Sequence, residues 1–520
     1  MSLGKHLLTP EQMRVMERMY FEEAGVRSID VMERAALAIR ALLESKFSAS
    51  KTVFFACGPG GNGGDGLAAA RLLKPRGGEV AFVLAEEPRS ADAVENLRRA
   101  REAGVREIAV DSRECPDIWV DALFGTGLSR SPEGNAAALI RRMDEDRARH
   151  GAKIVSVDIP SGLSGLSGRA FGHCVQADTT LALQFPKTGC YLEDGLDMCG
   201  QIVTADIRIS PTGAFEDYHR ATGYNFLFAD AQDFLPAYPR NVHKGTRGHV
   251  LVVAGSAGMA GAAALCAGAA LRSGAGLVTV ACPASIVPIL QALEPCAMCA
   301  PMPEKDGALS AEAAALLWEL RDGKSIVAGP GLSRRCAPEV LEALLEEKDG
   351  QSAPIVLDAD ALNILCERRE VLSLLGSHCV LTPHPGEARR LLGRELADPI
   401  SDARALSRLG GELGCKVVLK GASRVICEPP SGEGRNLPVF ISTTGCSGMA
   451  KGGSGDVFAG LLAGWRTNKW HNIRSACEIH GLAGVLAEEK YGNASMTARD
   501  IVEMLPEAFR RLQNRRDAQP

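Results

Sequence analysis

Gly445-Cys446-Ser447-Gly448-Met449-Ala450-Lys451-Gly452-Gly453-Ser454-Gly455-Asp456-Val457-Phe458-Ala459-Gly460 is the stretch whose reading decides the fold of the half of the chain that holds it. Glycines lead directly into a run of helical composition, and an aspartate stands at the junction. The unpaired amides of such a helix start bind an anion, and the helix dipole favours negative charge there. Asp456 is expected beside that anion hole, where a carboxylate can take a proton from a hydroxyl as phosphate arrives. A plain helix cap is the other reading of an aspartate at this point, and the density of glycine before it favours the first. The chain carries no Walker lysine motif, which excludes a P-loop.

Outward from this stretch, short apolar runs alternate with helical patterns. Strands are expected at 249–254, 277–281, 325–328, 354–357, 379–382 and 416–419, a helix at 260–272, and a helix-rich region at 456–489. The first half has the same rhythm, with strands at 52–56, 80–85, 118–123, 153–157 and 179–183 and amphipathic stretches at 91–103 and 136–147. Such alternation predicts parallel sheets covered on both faces, with ligands beyond the carboxyl ends of the strands. Residues 211–224 are polar, turn-rich and aperiodic, and are expected to be a linker. The fold class is therefore α/β in two domains, 1–224 and 225–520. At the N-terminus Thr9, Pro10 and Gln12 form a capping box for an amphipathic helix, whose Met13, Met16, Met19 and Tyr20 make a packing stripe.

Composition narrows the partners. The 520 residues are 46% hydrophobic and 23% charged with a net charge of −5, so there is no basic field for nucleic acid or an anionic membrane. Plentiful glycine (56) and few aromatics (5%) suit tight strand-to-helix turns that approach small ligands. The 16 cysteines show no framework spacing, and Cys296 and Cys299 form a CxxC with no second pair or nearby histidine to complete a zinc site. A reducing, cytoplasmic setting is expected, and no basic-then-apolar leader precedes the first helix. The most apolar region, 250–282, is interrupted by glycines and Arg272 and reads as strand, helix and strand, not as a membrane span.

Cys57-Gly58-Pro59-Gly60-Gly61-Asn62-Gly63-Gly64-Asp65-Gly66 follows a predicted strand and opens a helix. Read literally it contains a dinucleotide fingerprint, with Glu86 downstream. Asp65 argues against a plain dehydrogenase, because an unneutralised carboxylate in that turn repels a pyrophosphate. A carboxylate and the Asn62 carbonyl beside phosphate make sense with a cation between them. Asp121-Ala122-Leu123-Phe124-Gly125-Thr126-Gly127-Leu128-Ser129-Arg130 and Asp158-Ile159-Pro160-Ser161-Gly162 put further carboxylates at strand ends, where each either ties down a turn or serves a site.

In order and separation these three motifs resemble the NAD(P)H-hydrate epimerase family over residues 1–215. The resemblance implies a Rossmann-like three-layer sandwich and a potassium ion held by Asn62, Asp121 and Ser161. It also implies substrate against Gly61, Asn62, Gly63, Gly64 and Asp65, against Gly125, Thr126, Gly127, Leu128, Ser129, Arg130 and Ser131, and against Asp158. Where the family has two asparagines this chain has Gly61-Asn62, and Asn62 matches the ion-binding one. Epimerising a hydroxyl-bearing carbon needs a group that moves a proton; Asp158 is the candidate, with Lys187 as an assistant or a surface lysine.

The Gly-x-Gly-Asp helix start resembles the ribokinase-like superfamily. With His243-Lys244-Gly245, Gly329-Pro330-Gly331-Leu332, Asp358-Ala359-Asp360-Ala361-Leu362-Asn363, Leu381-Thr382-Pro383-His384-Pro385-Gly386-Glu387 and Val418-Leu419-Lys420-Gly421-Ala422, the second half resembles NAD(P)H-hydrate dehydratase over residues 225–510. The resemblance implies substrate contacts from Ala262, Gly331, His384 and Asp456, and nucleotide contacts from Lys420, Gly421, Ala422, Ser423, Arg424 and Gly455. Lys451 stands where a small hydroxyl or apolar residue is usual. Asp358 and Asp360 either orient Mg2+ through water or fix a turn. The implied chemistry uses Mg2+ with ADP, favoured over ATP: Asp456 deprotonates the ring hydroxyl, phosphoryl transfer makes it a leaving group, and NADH or NADPH results with phosphate and AMP. The implied partners are small molecules, NADHX, NADPHX and ADP, in a homo-oligomer. Two other readings are a ribokinase-like vitamin-precursor kinase with a regulatory N-terminal nucleotide binder, and a non-enzymatic, ligand-gated first half.

Overall fold

Five buried residues, Val53–Cys57, explain the layering of the first half: Val53, Phe55 and Cys57 join the apolar cluster on one face of a sheet, Phe54 and Ala56 that on the other. Both faces being covered, the strand reads as a continuous apolar run, as parallel sheets require. In the computed structural model, which describes residues 6–47, 51–74, 78–228, 240–429, 437–467 and 472–517, the chain divides into two compact units, Met1–Leu227 and Phe228–Pro520.

The strands of the first unit are β1 (Val53–Cys57), β2 (Val80–Leu84), β3 (Arg106–Glu107), β4 (Ile118–Ala122), β5 (Lys153–Val157), β6 (Thr179–Leu183) and β7 (Gln201–Ala205). They pair in the order β3-β2-β1-β4-β5-β6-β7, and every pairing is parallel. The order reverses between β1 and β4, and at such a switch point a crevice opens beyond the strand ends. One face carries α1 (Pro10–Ala24), α2 (Ser28–Lys46) and α3 (Gly61–Leu73); the other carries α4 (Gly134–His150), whose Leu139, Ile140 and Met143 are buried with Trp119. The expected capping box at Thr9 and Gln12 is present. One expectation fails: the supposed linker at 211–224 holds the helix Gly213–Thr222, capped by Thr212. Its sequence is polar because only Phe215 and His219, one turn apart, face inward.

The second unit's main sheet is built from β8 (His249–Val253), β9 (Leu277–Pro283), β10 (Met298–Met302), β11 (Ser325–Ala328), β12 (Ile355–Leu357), β13 (Cys379–Leu381), β14 (Lys416–Leu419), β15 (Arg424–Cys427) and β16 (Val439–Ser442). Its order is β16-β15-β14-β13-β12-β11-β8-β9-β10, parallel except for the antiparallel meander β14-β15-β16. Helices α5 (Ala260–Arg272) and α6 (Ser454–Thr467) pack together on one face. They meet backbone to backbone, because a Cβ on Gly460 would lie 2.0 Å from the Cys266 carbonyl oxygen and one on Gly464 2.6 Å from that of Ala270. Residues 250–282 form strand, helix and strand, and no described helix is long and apolar enough to cross a membrane.

Candidate active sites

In the first unit the turn after β1 is built from glycine for lack of space. A Cβ on Gly58 would fall 1.8 Å from the Leu123 carbonyl oxygen, and one on Gly63 1.8 Å from that of Gly58. The turn therefore lies flat against the end of β4, and α3 opens from it at Gly61. Asp121, inside β4 and fully buried, takes hydrogen bonds from the Ser161 hydroxyl (2.6 Å), the Ser161 amide (2.8 Å) and the Ser156 hydroxyl (2.8 Å). The Phe124 amide donates to the Ser161 oxygen at 2.9 Å. Asn62 donates to the Val157 carbonyl at the end of β5 (3.3 Å), and its Oδ1 would lie 3.6 Å from a Cβ on Gly125. Of Asn62, Asp121 and Ser161, which the family resemblance implies together, Asp121 and Ser161 are bonded to each other and Asn62 reaches the end of β5. Burial pushes the Asp121 carboxyl above its usual range against the pull of those hydroxyls and amides, and among the described residues it has no ion-pair partner. Buried neutral oxygens around one uncompensated carboxylate are a donor set that suits a monovalent cation.

Asp158 follows β5 in a left-handed conformation, φ 68°, and its Oδ2 also faces Gly125. Its other oxygen receives the Lys187 ammonium and the Leu183 amide. Lys187 is 1% exposed and also donates to the Leu183 carbonyl (3.2 Å), so it is no surface lysine. Burial, then the carboxylates of Asp158, Glu17 and Asp92, hold the Asp65 carboxyl well above its usual range, with Lys187 opposing. Glu17, which no sequence motif marks, is pushed up to about 7 by burial first, with Lys187 pulling down and Asp158 pushing up. The remaining loop, Gly125 to Ser131, is largely solvent-facing, with the Leu128 amide on the Gly125 carbonyl at 3.4 Å.

In the second unit Asp456 sits in the first turn of α6, after Gly453 at φ 96°. Burial pushes its carboxyl up to about 6, helped by Asp358 and opposed by Lys420. Lys420 bonds Asp358 Oδ1 at 2.5 Å, and the Thr382 hydroxyl bonds the same oxygen at 2.8 Å. A Cβ on Gly455 would stand 3.4 Å from Lys420 Nζ and 3.7 Å from Asp358 Oδ2, so the helix start and the ion pair share one wall. The two open aspartates divide: Asp358 pairs with Lys420, whereas Asp360 takes the Ser333 amide at 2.8 Å and fixes that turn.

Gly331 (φ 62°) lies against Ala262, a Cβ on it falling 3.0 Å from the Ala262 methyl. His384 caps the helix Pro385–Leu392 through Nδ1, which accepts from the Gly386 amide at 3.0 Å; its half-exposed ring keeps Nε2 3.3 Å from Glu387. Burial and the nearby Lys420 lower its basicity. Gly421 and Ala422 are exposed while Ser423 and Arg424 are buried. The Arg424 guanidinium is engaged by the Thr444 carbonyl (2.8 Å) and His480 Nδ1 (2.9 Å), and its backbone opens β15 opposite Ser442 of β16. Lys451 reaches the carbonyls of Ala494 (2.7 Å) and Met496 (2.6 Å), tethering the glycine loop to the turn before the last helix. Cys296 is exposed and Cys299 half-buried on β10; among the described residues the candidate metal trio of His, Cys, Asp or Glu lies elsewhere, at Cys115, Asp146 and His150.

The family model described as YjeF-related protein N-terminus matches residues 28–189, and that described as NAD(P)H-hydrate dehydratase matches 250–507. A bifunctional NAD(P)H-hydrate repair enzyme of Moorella thermoacetica is 36% identical, over 98% of this chain and 97% of its own length. The Escherichia coli enzyme of the same description is 31% identical, over 95% and 92%. An ADP/ATP-dependent NAD(P)H-hydrate dehydratase from Bacillus subtilis, co-crystallised with ATP and Mg2+, is 26% identical with a TM-score of 0.43 and covers 55% of this chain and 98% of its own.

Proposed function

The chain belongs to the family of bifunctional NAD(P)H-hydrate repair enzymes, and on that premise we propose that its two aspartates, Asp158 and Asp456, each carry one of the two reactions. The first unit interconverts the R and S hydrates of NADH and NADPH; the second dehydrates the S form at the expense of a nucleotide. The vitamin-precursor kinase reading is set aside, since relatives spanning the whole chain are repair enzymes.

One observation carries the chemistry of the second unit: a carboxyl pushed up to about 6 stands in the first turn of a glycine-opened helix, facing a lysine–aspartate pair. A base of that strength is ionised at neutral pH yet strong enough to take the proton from a hydroxyl in the transition state. The free amides of the helix start receive the transferring phosphoryl group, and the Lys420 ammonium offsets its charge. Esterified to phosphate, the ring oxygen departs as a far weaker base than hydroxide, pushed out by the ring nitrogen, and NADH or NADPH is restored with phosphate and AMP as co-products. Lys420, Gly421, Ala422, Ser423, Arg424 and Gly455 are proposed to hold the nucleotide, and Ala262, Gly331 and His384 the hydrate. Mg2+ arriving with the nucleotide would screen phosphate charge, and Asp358 Oδ2, turned toward the glycine start, is the oxygen proposed to hold it through water. ADP is the proposed donor.

In the first unit Asn62, Asp121 and Ser161 are proposed to hold K+, which would neutralise the buried Asp121 and fix the turns around it. The flat glycine turn and the 125–131 loop would hold the hydrate, with Asp158 moving the proton that lets hydroxide leave as water. A cytoplasmic location accords with 16 free cysteines.

The test is to incubate the purified chain with mixed hydrates, Mg2+ and ADP or ATP, following reduced-nicotinamide absorbance and free phosphate together. Recovery of absorbance with matching phosphate is expected. A stable phosphorylated product with no recovery would overturn the proposal.

A further inference from the structure

We propose that Cys115, Asp146 and His150 bind a zinc ion at the edge of the first unit's sheet opposite Asp121 and Asp158. Each side chain offers one ligand atom, a thiol sulfur, a carboxylate oxygen and a ring nitrogen, and these atoms all lie within 4.8 Å of one another. Ligands held tetrahedrally at about 2.0–2.3 Å from zinc stand about 3.3–3.8 Å apart, so a small turn of the exposed His150 ring closes the set.

The scaffold sets all three in place. Asp146 and His150 are one turn apart at the end of α4 and so share a face of that helix. His150 is its last residue, where the carbonyl end of the helix dipole favours a cation. Cys115 lies just before β4, and two bonds from Arg142, to the carbonyls of Val110 (3.3 Å) and Glu114, hold its segment against α4. On its other side Asp117 is fixed by the Thr52 amide at 2.9 Å and the Lys51 ammonium at 2.8 Å.

The carboxylate is also oriented from behind. The indole N–H of Trp119, a fully buried ring, donates to Asp146 Oδ2 at 2.9 Å, and the Arg142 guanidinium, lying over that ring at 4.9 Å, approaches the same oxygen at 3.8 Å. Among the described residues no N–H or hydroxyl donates to Oδ1, which leaves it for an ion. A partner that holds one ligand oxygen while the other meets the metal is the usual support of a metal site.

Thiolate and imidazole are soft and borderline ligands, which select zinc over Mg2+, Ca2+ or K+. Three protein ligands leave the fourth position to water. As the zinc–sulfur bond forms, the Cys115 thiol gives its proton to solvent, and thiolate and carboxylate together balance the charge of Zn2+. Cys115 precedes β4 and His150 precedes β5, whereas the epimerising residues lie toward the other ends of these parallel strands. The ion therefore ties the entry of β4 to the end of α4 and takes no part in hydrate chemistry.

The test titrates the full chain, stripped of metal by a chelator and kept reduced, with Co2+ as a coloured substitute for zinc. A thiolate-to-cobalt charge-transfer band and the intense visible bands of a tetrahedral ion are expected, saturating at one ion per chain and quenched by one equivalent of Zn2+. Cys115→Ser should remove the charge-transfer band. His150→Ala, at an exposed position that the fold does not need, should weaken Co2+ binding at least about tenfold. Replacing Cys296 and Cys299 by serine should change neither. Wild-type protein with no charge-transfer band overturns the proposal, as does a band that survives Cys115→Ser, an affinity that His150→Ala leaves unmoved, or a band that is lost with Cys296 and Cys299.

Discussion

At the scale of single residues, Asp456 owes its basicity to burial and to Asp358, tempered by Lys420. Dehydration by the wild type is therefore expected to fall away below about pH 6, as its carboxylate takes up a proton, in initial rates measured across pH. Asp456→Asn should abolish recovery of reduced cofactor, by a factor of about 10³ or more, while isomer exchange continues. Stability should move the other way. A carboxyl raised from 3.8 to about 6 on folding binds its proton more tightly folded than unfolded, so it costs stability increasingly as pH rises through that interval. The Asn variant should then melt no lower than wild type at pH 8, separating lost chemistry from lost fold. Lys420→Met removes the ammonium that holds the Asp456 carboxyl down, and the acid limb of the rate profile should shift upward in pH. The places of Asp456 at a helix start and of Asp158 after a strand were legible because glycines punctuate both turns. The meeting of Cys115 with Asp146 and His150 was not, since a strand and most of a helix separate the cysteine from the other two along the chain. Nor was the inward turn of Arg424, which depends on Thr444 and His480 in other elements.

Among elements, legibility followed burial. Strands buried throughout, such as Ser325–Ala328, or in all but the first residue, such as Lys153–Val157 and Lys416–Leu419, announce themselves as apolar runs. Edge strands do not: Gln201–Ala205 and Met298–Met302 are mostly part-exposed and carry polar residues or proline, and Arg106–Glu107 is wholly exposed. The meander Arg424–Cys427 and Val439–Ser442 does not show in the sequence, because its antiparallel pairing breaks the strand-helix rhythm of the rest of the sheet. At the crossing of α5 and α6 there is no room for a methyl group, so Gly460→Ala should destabilise the second unit by about 1–3 kcal/mol in thermal or urea unfolding. Because α6 also carries Asp456 near its start, dehydration should weaken while isomer exchange is spared.

For the whole molecule, one reaction exchanges the two stereoisomers and the other consumes one, so a chain that carries both can drain a mixed pool of hydrate. Asp158→Asn should leave about half of a mixed hydrate sample unrecovered on the timescale at which wild type finishes, the expectation for one blocked isomer. Exchanging K+ for a small cation such as Li+ should slow isomer exchange and spare dehydration of pure S hydrate, read by the same chromatographic assay. The backbone at Asp158 adds a constraint of another kind. At φ 68° its peptide occupies a region that branched or bulky side chains enter only with strain, whereas glycine, asparagine and aspartate tolerate it. Asparagine there alters charge and spares geometry, but alanine or leucine would also spring the turn after β5. Anyone wishing to silence one reaction and keep the other should therefore edit position 158 within that small alphabet, and a random library at this codon would report on torsion as much as on proton transfer.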